Sequence, residues 1–369
     1  MDPLDTRTIA MSPGAPRASG DAAHYLVVVE GEHPGLRKEI VASLTLGRDT
    51  SCRLRFGDAG VSKIHCRLRL EGESVMVSDL GSTNGTFVDG RRVEGTVVLG
   101  VESLLQVGAQ VLRHELRSRA EVVRAEELAS DLEKARAYML ALIPAPLVTG
   151  PVRTDWVFVP SAVLGGDLLG THALDEDLRA FYLIDVCGHG AGAAMHTASV
   201  FNALRNRTLP DTDFRRPGEV LTRLNACFPM ESHGGMYLTL WYGVHDARDG
   251  ALVFASAGHP PALLRPRDGG HTRRLATRNP PIGVLEERRF DEARTTAAPG
   301  DRLYLFSDGV YEIETHDGRA WDFKDFEALV SAPRIPEVAE SQRLLSAVRG
   351  EARGGVLDDD FSLLVVGFH

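Results

Sequence analysis

The sequence predicts two domains of different class, an all-β sandwich followed by a layered α+β domain, with a helix between them. Three observations carry this reading. Short β-rich runs divided by Gly and Asp turns fill residues 25–112, a Gly- and Pro-free stretch rich in Ala, Glu, Arg and Leu runs from Arg113 to Leu142, and strand and helix patterns mix from Trp156 onward. At 369 residues, 43% apolar and 25% charged, the chain has material for two cores. The expected divisions are a flexible tail at 1–23, the sandwich at 24–115, a helical or coiled-coil linker at 116–144 and the α+β domain at 145–369.

The tail is expected because Met1–Gly20 carries Pro3, Pro13 and Pro16 among Ala, Ser and Gly, with no apolar stretch of a secretory signal. In the sandwich, Tyr25–Val29, Leu44–Leu46 and Cys52-x-Leu54-x-Phe56 read as strands. Cys66-x-Leu68-x-Leu70 alternates with Arg67 and Arg69, the period of a strand with one buried face. The Arg113–Leu142 stretch is strong helix-forming chemistry stopped by Pro144 and Pro146. Leu128, Leu132, Ala135, Met139 and Leu142 step by 4, 3, 4 and 3, and Leu116, Ala120 and Val123 form an earlier seam. The seam fits a dimerising coiled coil or an amphipathic helix packed on its neighbouring domain. Further on, Ala180–Ile184, Leu303–Phe306 and Phe361–Val366 read as strands, Trp241–Val244 and Leu252–Ala255 as a hairpin, and Ala191–Arg207 as a helix.

A formal net charge of −10 gives no electrostatic footprint for nucleic acid. Four cysteines without a Cys-x-x-Cys pair suggest reduced thiols in the cytoplasm, not a disulfide framework or zinc. No run approaches the ~18 apolar residues of a membrane span, so a soluble protein is expected.

Four aspartates sit where a strand meets a turn: Asp167 after Gly165-Gly166, Asp185 closing Phe181–Ile184, Asp308 in Ser307-Asp308-Gly309, and Asp359 before the Phe361 strand. Each alone is ordinary turn chemistry. Together, beside Gly-rich backbone, they are hard oxygen ligands suited to Mg or Mn. Taken in order, Gly165-Gly166-Asp167, Asp185-Val186-Cys187-Gly188-His189-Gly190, Ala257-Gly258-His259-Pro260-Pro261, Pro281-Ile282-Gly283, Ser307-Asp308-Gly309-Val310 and Asp359-Asp360-Phe361-Ser362 resemble the SpoIIE-like branch of the PPM metal-dependent Ser/Thr protein phosphatases.

That resemblance implies an αββα sandwich holding two Mn2+ or Mg2+ ions. Asp185 would bridge both, the Val186 carbonyl and Asp167 would serve one, and Asp308 and Asp359 the other. A hydroxide between the cations would attack phosphorus in line, without a phosphoenzyme. Cys187 is then a packing residue, and His189 and His259 are disfavoured as proton donors because flanking glycines point to backbone geometry. The branch commonly has a second acid where this chain has Gly170, which casts doubt on metal affinity or a third ion.

In the sandwich, Gly47-Arg48, Ser62-Lys63-x-His65 and Ser82-Thr83-Asn84-Gly85-Thr86 combine a planar cation, a short hydroxyl and an amide. By composition alone Asn84-Gly85 is a hairpin turn and Arg48 a surface charge. The pattern is similar to the forkhead-associated (FHA) domain, which reads phosphothreonine. Carried over, Arg48 and Ser62 grip phosphate, Lys63 and Thr83 assist, Asn84 fixes the ligand backbone, and Gly47 and His65 organise the loops.

The combined expectation is a cytoplasmic bacterial signalling phosphatase acting on phosphoserine or phosphothreonine proteins, with anti-anti-sigma (STAS) proteins as the implied substrate class. A phosphothreonine partner would dock at the sandwich, and two copies could pair through the linker. The alternative is a phosphopeptide-binding adaptor whose phosphatase fold is catalytically weak.

Overall fold

A computed structural model describes residues 21–369, so residues 1–20 of the tail expected at 1–23 lie outside the described residues. The described residues divide into two compact units, the first ending at Ala129 and the second spanning Ser130–His369. In the first, two sheets enclose one apolar core containing Leu26, Leu46, Phe56, Leu68, Val77 and Leu112. One sheet has the strand order Arg37–Glu39, Ala22–Glu30, Gln110–Ser118, Leu104–Val107, Thr86–Val88, Arg91–Arg92; the other runs Leu54–Arg55, Ser43–Gly47, Cys66–Glu71, Ser74–Asp79, Thr96–Leu99. The Cys66–Glu71 strand follows its pattern: Cys66 and Leu68 are buried, Arg67 and Arg69 exposed.

Two boundaries differ from the sequence expectation. The first strand begins at Ala22, so pairing claims the last residues assigned to the tail. The helix begins at Arg119 and ends at Leu142, because residues 113–118, read as helix, continue the Gln110–Ser118 strand. Antiparallel pairing with Ala22–Glu30 buries His114 and Glu115 and overrides local helix propensity. Arg37, Arg113 and Arg117 surround the Glu115 carboxylate.

The seam divides accordingly. Leu116 lies in a strand, while Val123 and Leu128 are exposed. Leu132, Ala135, Met139 and Leu142 pack against the core of the second unit. The amphipathic reading therefore describes about the last three turns.

The second unit stacks two five-stranded antiparallel sheets. One runs Val152–Val159, Phe361–Phe368, Arg302–Phe306, Ala262–Arg265, Arg273–Leu275; the other runs Asp167–Ala173, Leu178–Val186, Leu238–Asp246, Ala251–Ala257, Ala293–Thr296. Helices Ala191–Arg205 and Pro217–Cys227 cover the second sheet, with Tyr182 against Phe201 at 5.6 Å. Phe323–Ser331 and Glu340–Glu351 share a core with the first sheet through Phe326, Leu344, Val348, Phe306 and Leu363. This is the expected αββα layering. All four cysteines are free thiols, and among the described residues no helix is long and apolar enough to cross a membrane.

Candidate functional site

In the second unit the motif residues collect at one end of the paired sheets. Asp167 and Asp185 are direct cross-strand partners, and Asp185 in turn faces Thr239 on the next strand. Ser362, from the opposite sheet, donates its hydroxyl to Asp167 Oδ2 at 2.7 Å, so this carboxylate ties the two sheets together. Thr239 donates to Asp185 Oδ2 at 3.3 Å, and its Oγ1 lies 2.6 Å from His259 Nδ1.

The glycines of the motifs have separate reasons. A Cβ on Gly165 would stand 2.3 Å from Asp360 Oδ2, one on Gly166 2.6 Å from the Val186 carbonyl oxygen, and one on Gly309 2.3 Å from the Asp360 carbonyl oxygen. Each lets a loop close on the carboxylate cluster.

Asp360 and Asp359, adjacent in sequence, do different work. The buried Asp360 carboxylate accepts N–H bonds from Ser161 and Gly166 at 2.8 and 2.7 Å, and the Ser161 hydroxyl at 2.9 Å. It is committed to holding the loop that presents Asp167. Asp359 is exposed, and its charge acts on Asp185 and Asp308.

The electrostatics follow from gathering acids in a poorly hydrated place. Burial first, then the charges of Asp308 and Asp359, pushes Asp185 up to about 7. Burial, with Asp185 and Asp360, raises Asp167 well above the ordinary carboxylate range. Burial, then Glu312 and Asp359, lifts Asp308 to about 6. Among the described residues no Lys or Arg pairs with Asp167, Asp185, Asp308 or Asp359. The donor set, carboxylates plus a backbone carbonyl without a protein cation, suits a hard divalent ion. No three of these acids, however, are close enough in the described residues to hold one ion as they stand.

The remaining sequence candidates separate clearly. His259 is buried and pushed down to about 3 by desolvation, so at neutral pH it has no extra proton to give. His189 is exposed on its loop. Cys187 Sγ accepts the Tyr237 N–H at 3.2 Å, a positioning contact. Gly170 lies opposite Tyr182, whose ring would stand 2.5 Å from a Cβ there. By strand alternation position 170 faces away from Asp167; an acid there would meet the Tyr182 layer, not the carboxylates. Sequence reading missed the roles of Thr239, Glu312, Ser362, Asp360 and Ser307, whose hydroxyl donates to the Asp360 carbonyl at 2.9 Å and accepts the Ser362 N–H at 3.2 Å; Ser307, Asp360 and Ser362 lay within recognised motifs, Thr239 and Glu312 outside them.

In the first unit, the three loops converge as expected. The Arg48 and Asp49 N–H groups donate to the Ser62 and Lys63 carbonyls at 3.0 and 2.9 Å. Arg48 Nε donates to the Val61 carbonyl, which leaves both Nη groups for a ligand. Thr83 N–H donates to Ser62 Oγ at 3.0 Å, and Asn84 Nδ2 donates to the Gly60 carbonyl at 2.8 Å, leaving Asn84 Oδ1 as an acceptor. His65 is fully buried: Nδ1 accepts the Ser62 N–H at 3.0 Å, and Nε2 lies 3.1 Å from the Gly85 carbonyl oxygen. A Gly47 Cβ would stand 2.2 Å from the Lys63 carbonyl oxygen. Sequence reading overlooked Asp79, which accepts from Gly81, Ser82 and Thr86 and is held at about 2 by these bonds against the opposing effect of burial. The Asp79-x-x-Ser82 spacing is its signal.

Comparison with known proteins agrees with this division. The family Stage II sporulation protein E (SpoIIE) matches residues 175–369, and the FHA domain matches residues 44–108. The chain is 27% identical over 237 residues to the phosphoserine phosphatase RsbP of Bacillus subtilis, covering 64% of this chain and 57% of RsbP. It is 36% identical over 97 residues to the FHA domain-containing protein FhaB of Mycobacterium tuberculosis, covering 26% of this chain and 61% of FhaB. The chain thus spans less than two thirds of either relative. The SiaA-PP2C domain of Pseudomonas aeruginosa superposes with a TM-score of 0.57 at 19% identity, covering 67% of this chain and 99% of that domain, which establishes a common fold.

Proposed function

This chain belongs to the SpoIIE family, and from that premise we propose that it is a metal-dependent phosphatase for phosphoserine or phosphothreonine on proteins. The observation that carries the reading is the set of carboxylates Asp167, Asp185, Asp308 and Asp359, mutually repelling and without a protein cation. Asp185 would serve two ions, Asp167 and the Val186 carbonyl one, and Asp308 and Asp359 the other. When bound, two Mn2+ or Mg2+ ions would neutralise charge on the phosphoryl oxygens and lower the pKa of a water toward ~7.

The protein's own residues do the rest. Ser362 and Thr239 orient Asp167 and Asp185, neutral His259 fixes Thr239, and Asp360 holds the loop carrying Asp167. No side-chain nucleophile is needed. In the first unit, Arg48, Ser62, Lys63 and Thr83 would bind the phosphate of a phosphothreonine protein, and Asn84 its backbone.

On the same reading the substrate class is a phosphorylated STAS anti-anti-sigma protein in the cytoplasm. Two copies would pair through the linker helix, where Val123 and Leu128 are exposed. Mn2+-dependent hydrolysis of an aryl phosphate, abolished in Asp185→Ala, tests the enzymatic core. No turnover with any divalent metal would favour the adaptor alternative. Turnover of intact protein and Arg48→Ala, with and without phosphothreonine peptide, separates regulation from recruitment.

A further inference from the structure

At the end of the second unit's first sheet opposite the carboxylate cluster, Arg265, Arg267, Arg302 and Arg334 line a cavity of about 250 Å³ with Pro266 and the backbone of Gly269 and Gly300. Arg265 closes the Ala262–Arg265 strand and Arg302 opens the Arg302–Phe306 strand, where the two are direct partners. Asp308 lies beyond the far end of the Arg302–Phe306 strand, whose four steps alone span roughly 13 Å. The two places are therefore distinct.

The arginines are unequally occupied. Arg265 Nη1 donates to the carbonyls of Val330 and Ala332, and Arg334 pairs with Glu340, which Arg343 already holds. Arg302 is half-buried, and neither it nor Arg267 forms an ion pair among the described residues. The aliphatic part of Arg267 is seated over Gly300, whose Cβ would stand 2.3 Å from Arg267 Cδ. Of the other carboxylates nearby, Asp301 accepts from Arg267 N and Ala298 N, and Asp268 from Gly270 N, while Glu340 is shared by Arg334 and Arg343.

Four guanidinium groups line one cavity, Arg302 half-buried and Arg267 and Arg334 exposed, and Glu340 is the one carboxylate paired with any of them among the described residues, so the cavity presents a local excess of positive charge. Burial, followed by the charge of Arg334, holds the Arg302 guanidinium below its ordinary value, with Tyr304 and Glu340 opposing and Arg265 adding a smaller push in the same direction. Planar guanidinium groups offer paired donors that match phosphate oxygens. The volume lies just below the ~300–1,000 Å³ of pockets for drug-sized ligands.

We infer that this arginine-lined cavity is a second phosphate site, binding a phosphate-class dianion, free or as a small phosphomonoester, through Arg302, Arg267 and Arg334. It does not depend on the proposed catalysis.

The test is calorimetric titration of the full chain in an Arg48→Ala background with EDTA, which removes the first unit's site and any metal-held phosphate. Sodium phosphate and glucose 6-phosphate are titrated at constant ionic strength, with chloride as the control. Saturable 1:1 binding, weakened at least tenfold in both Arg302→Gln and Arg267→Gln with the circular dichroism spectrum retained, supports the site. Tighter binding of the ester than of phosphate identifies an organic phosphate as the occupant, and the reverse identifies free phosphate. No saturable binding, or equal affinity in parent and both variants, overturns the inference. Should either glutamine variant unfold, Arg302→Lys, which keeps the charge without the fork, supplies the same comparison.

Discussion

On the proposed reading the two units would meet one chemical group with opposite charges. In the first, an anion would meet donors already fixed: Arg48 is anchored through Nε, Ser62 and Thr83 hold each other, and Asn84 is pinned to Gly60, all on loops around the buried His65. In the second, phosphate would approach carboxylates that repel it and one another until cations arrive. Preorganised donors make a reader that holds phosphate; acids that require metal make a centre that can break its ester. The difference lies in what surrounds the residues, since both sets are gathered from loops and strand ends.

The largest predicted effect separates the two. Asp185→Ala should lower Mn2+-dependent aryl phosphate hydrolysis by about a thousandfold or more, the several kcal/mol of metal charge stabilisation. Binding of a phosphothreonine peptide, read by fluorescence anisotropy, should be unchanged. The mirror variant, Arg48→Ala, should weaken that peptide about 10- to 100-fold, the ~1.5–3 kcal/mol of hydrogen bonds to a charged group, while aryl phosphate turnover keeps its rate. Loss of both activities in either variant would erase the contrast.

Gly170→Asp sharpens it further. Position 170 faces the Tyr182 ring, so the added carboxylate should cost about 1–3 kcal/mol of overpacking, seen in thermal melting. It should bring no gain in Mn2+ affinity by calorimetry; a tighter metal would place position 170 on the ligand side.

The smallest effect is in pH. Asp185 and Asp308 have folded values of about 7 and about 6, above their ordinary 3.8, so the folded chain binds more protons than the unfolded between these limits. Their contribution to metal-free stability is full below about pH 3.8 and is lost as pH rises through about 7. In EDTA, replacing both by Asn should flatten the fall in melting temperature between pH 5 and 7.5, and Mn2+ should raise the wild-type melting temperature most at pH 7.5. A wild-type slope retained by the double variant would assign it to other groups.

Much of this was legible because periodicity and motif spacing are local properties. Cys66-x-Leu68-x-Leu70 declared its buried face, and the glycines beside Asp167 and Asp308 marked loops that must close tightly. What escaped was non-local. Residues 113–118 have helical composition, and only pairing with a strand some ninety positions away makes them β. Neither the separate tasks of Asp359 and Asp360 nor the reason for Gly170 can be read without the opposing loop or Tyr182. Thr239 is an ordinary strand threonine until Asp185 and His259 flank it.

The facing of Asp167 and Asp185 across one antiparallel pair ties reactivity to alignment. Sliding one strand past the other by a single position would swing one acid toward the covering helices and leave its mate alone. A hairpin zipped out of step would then be chemically blank as well as less stable, and the dependence on divalent ions would double as a check that these strands had met correctly.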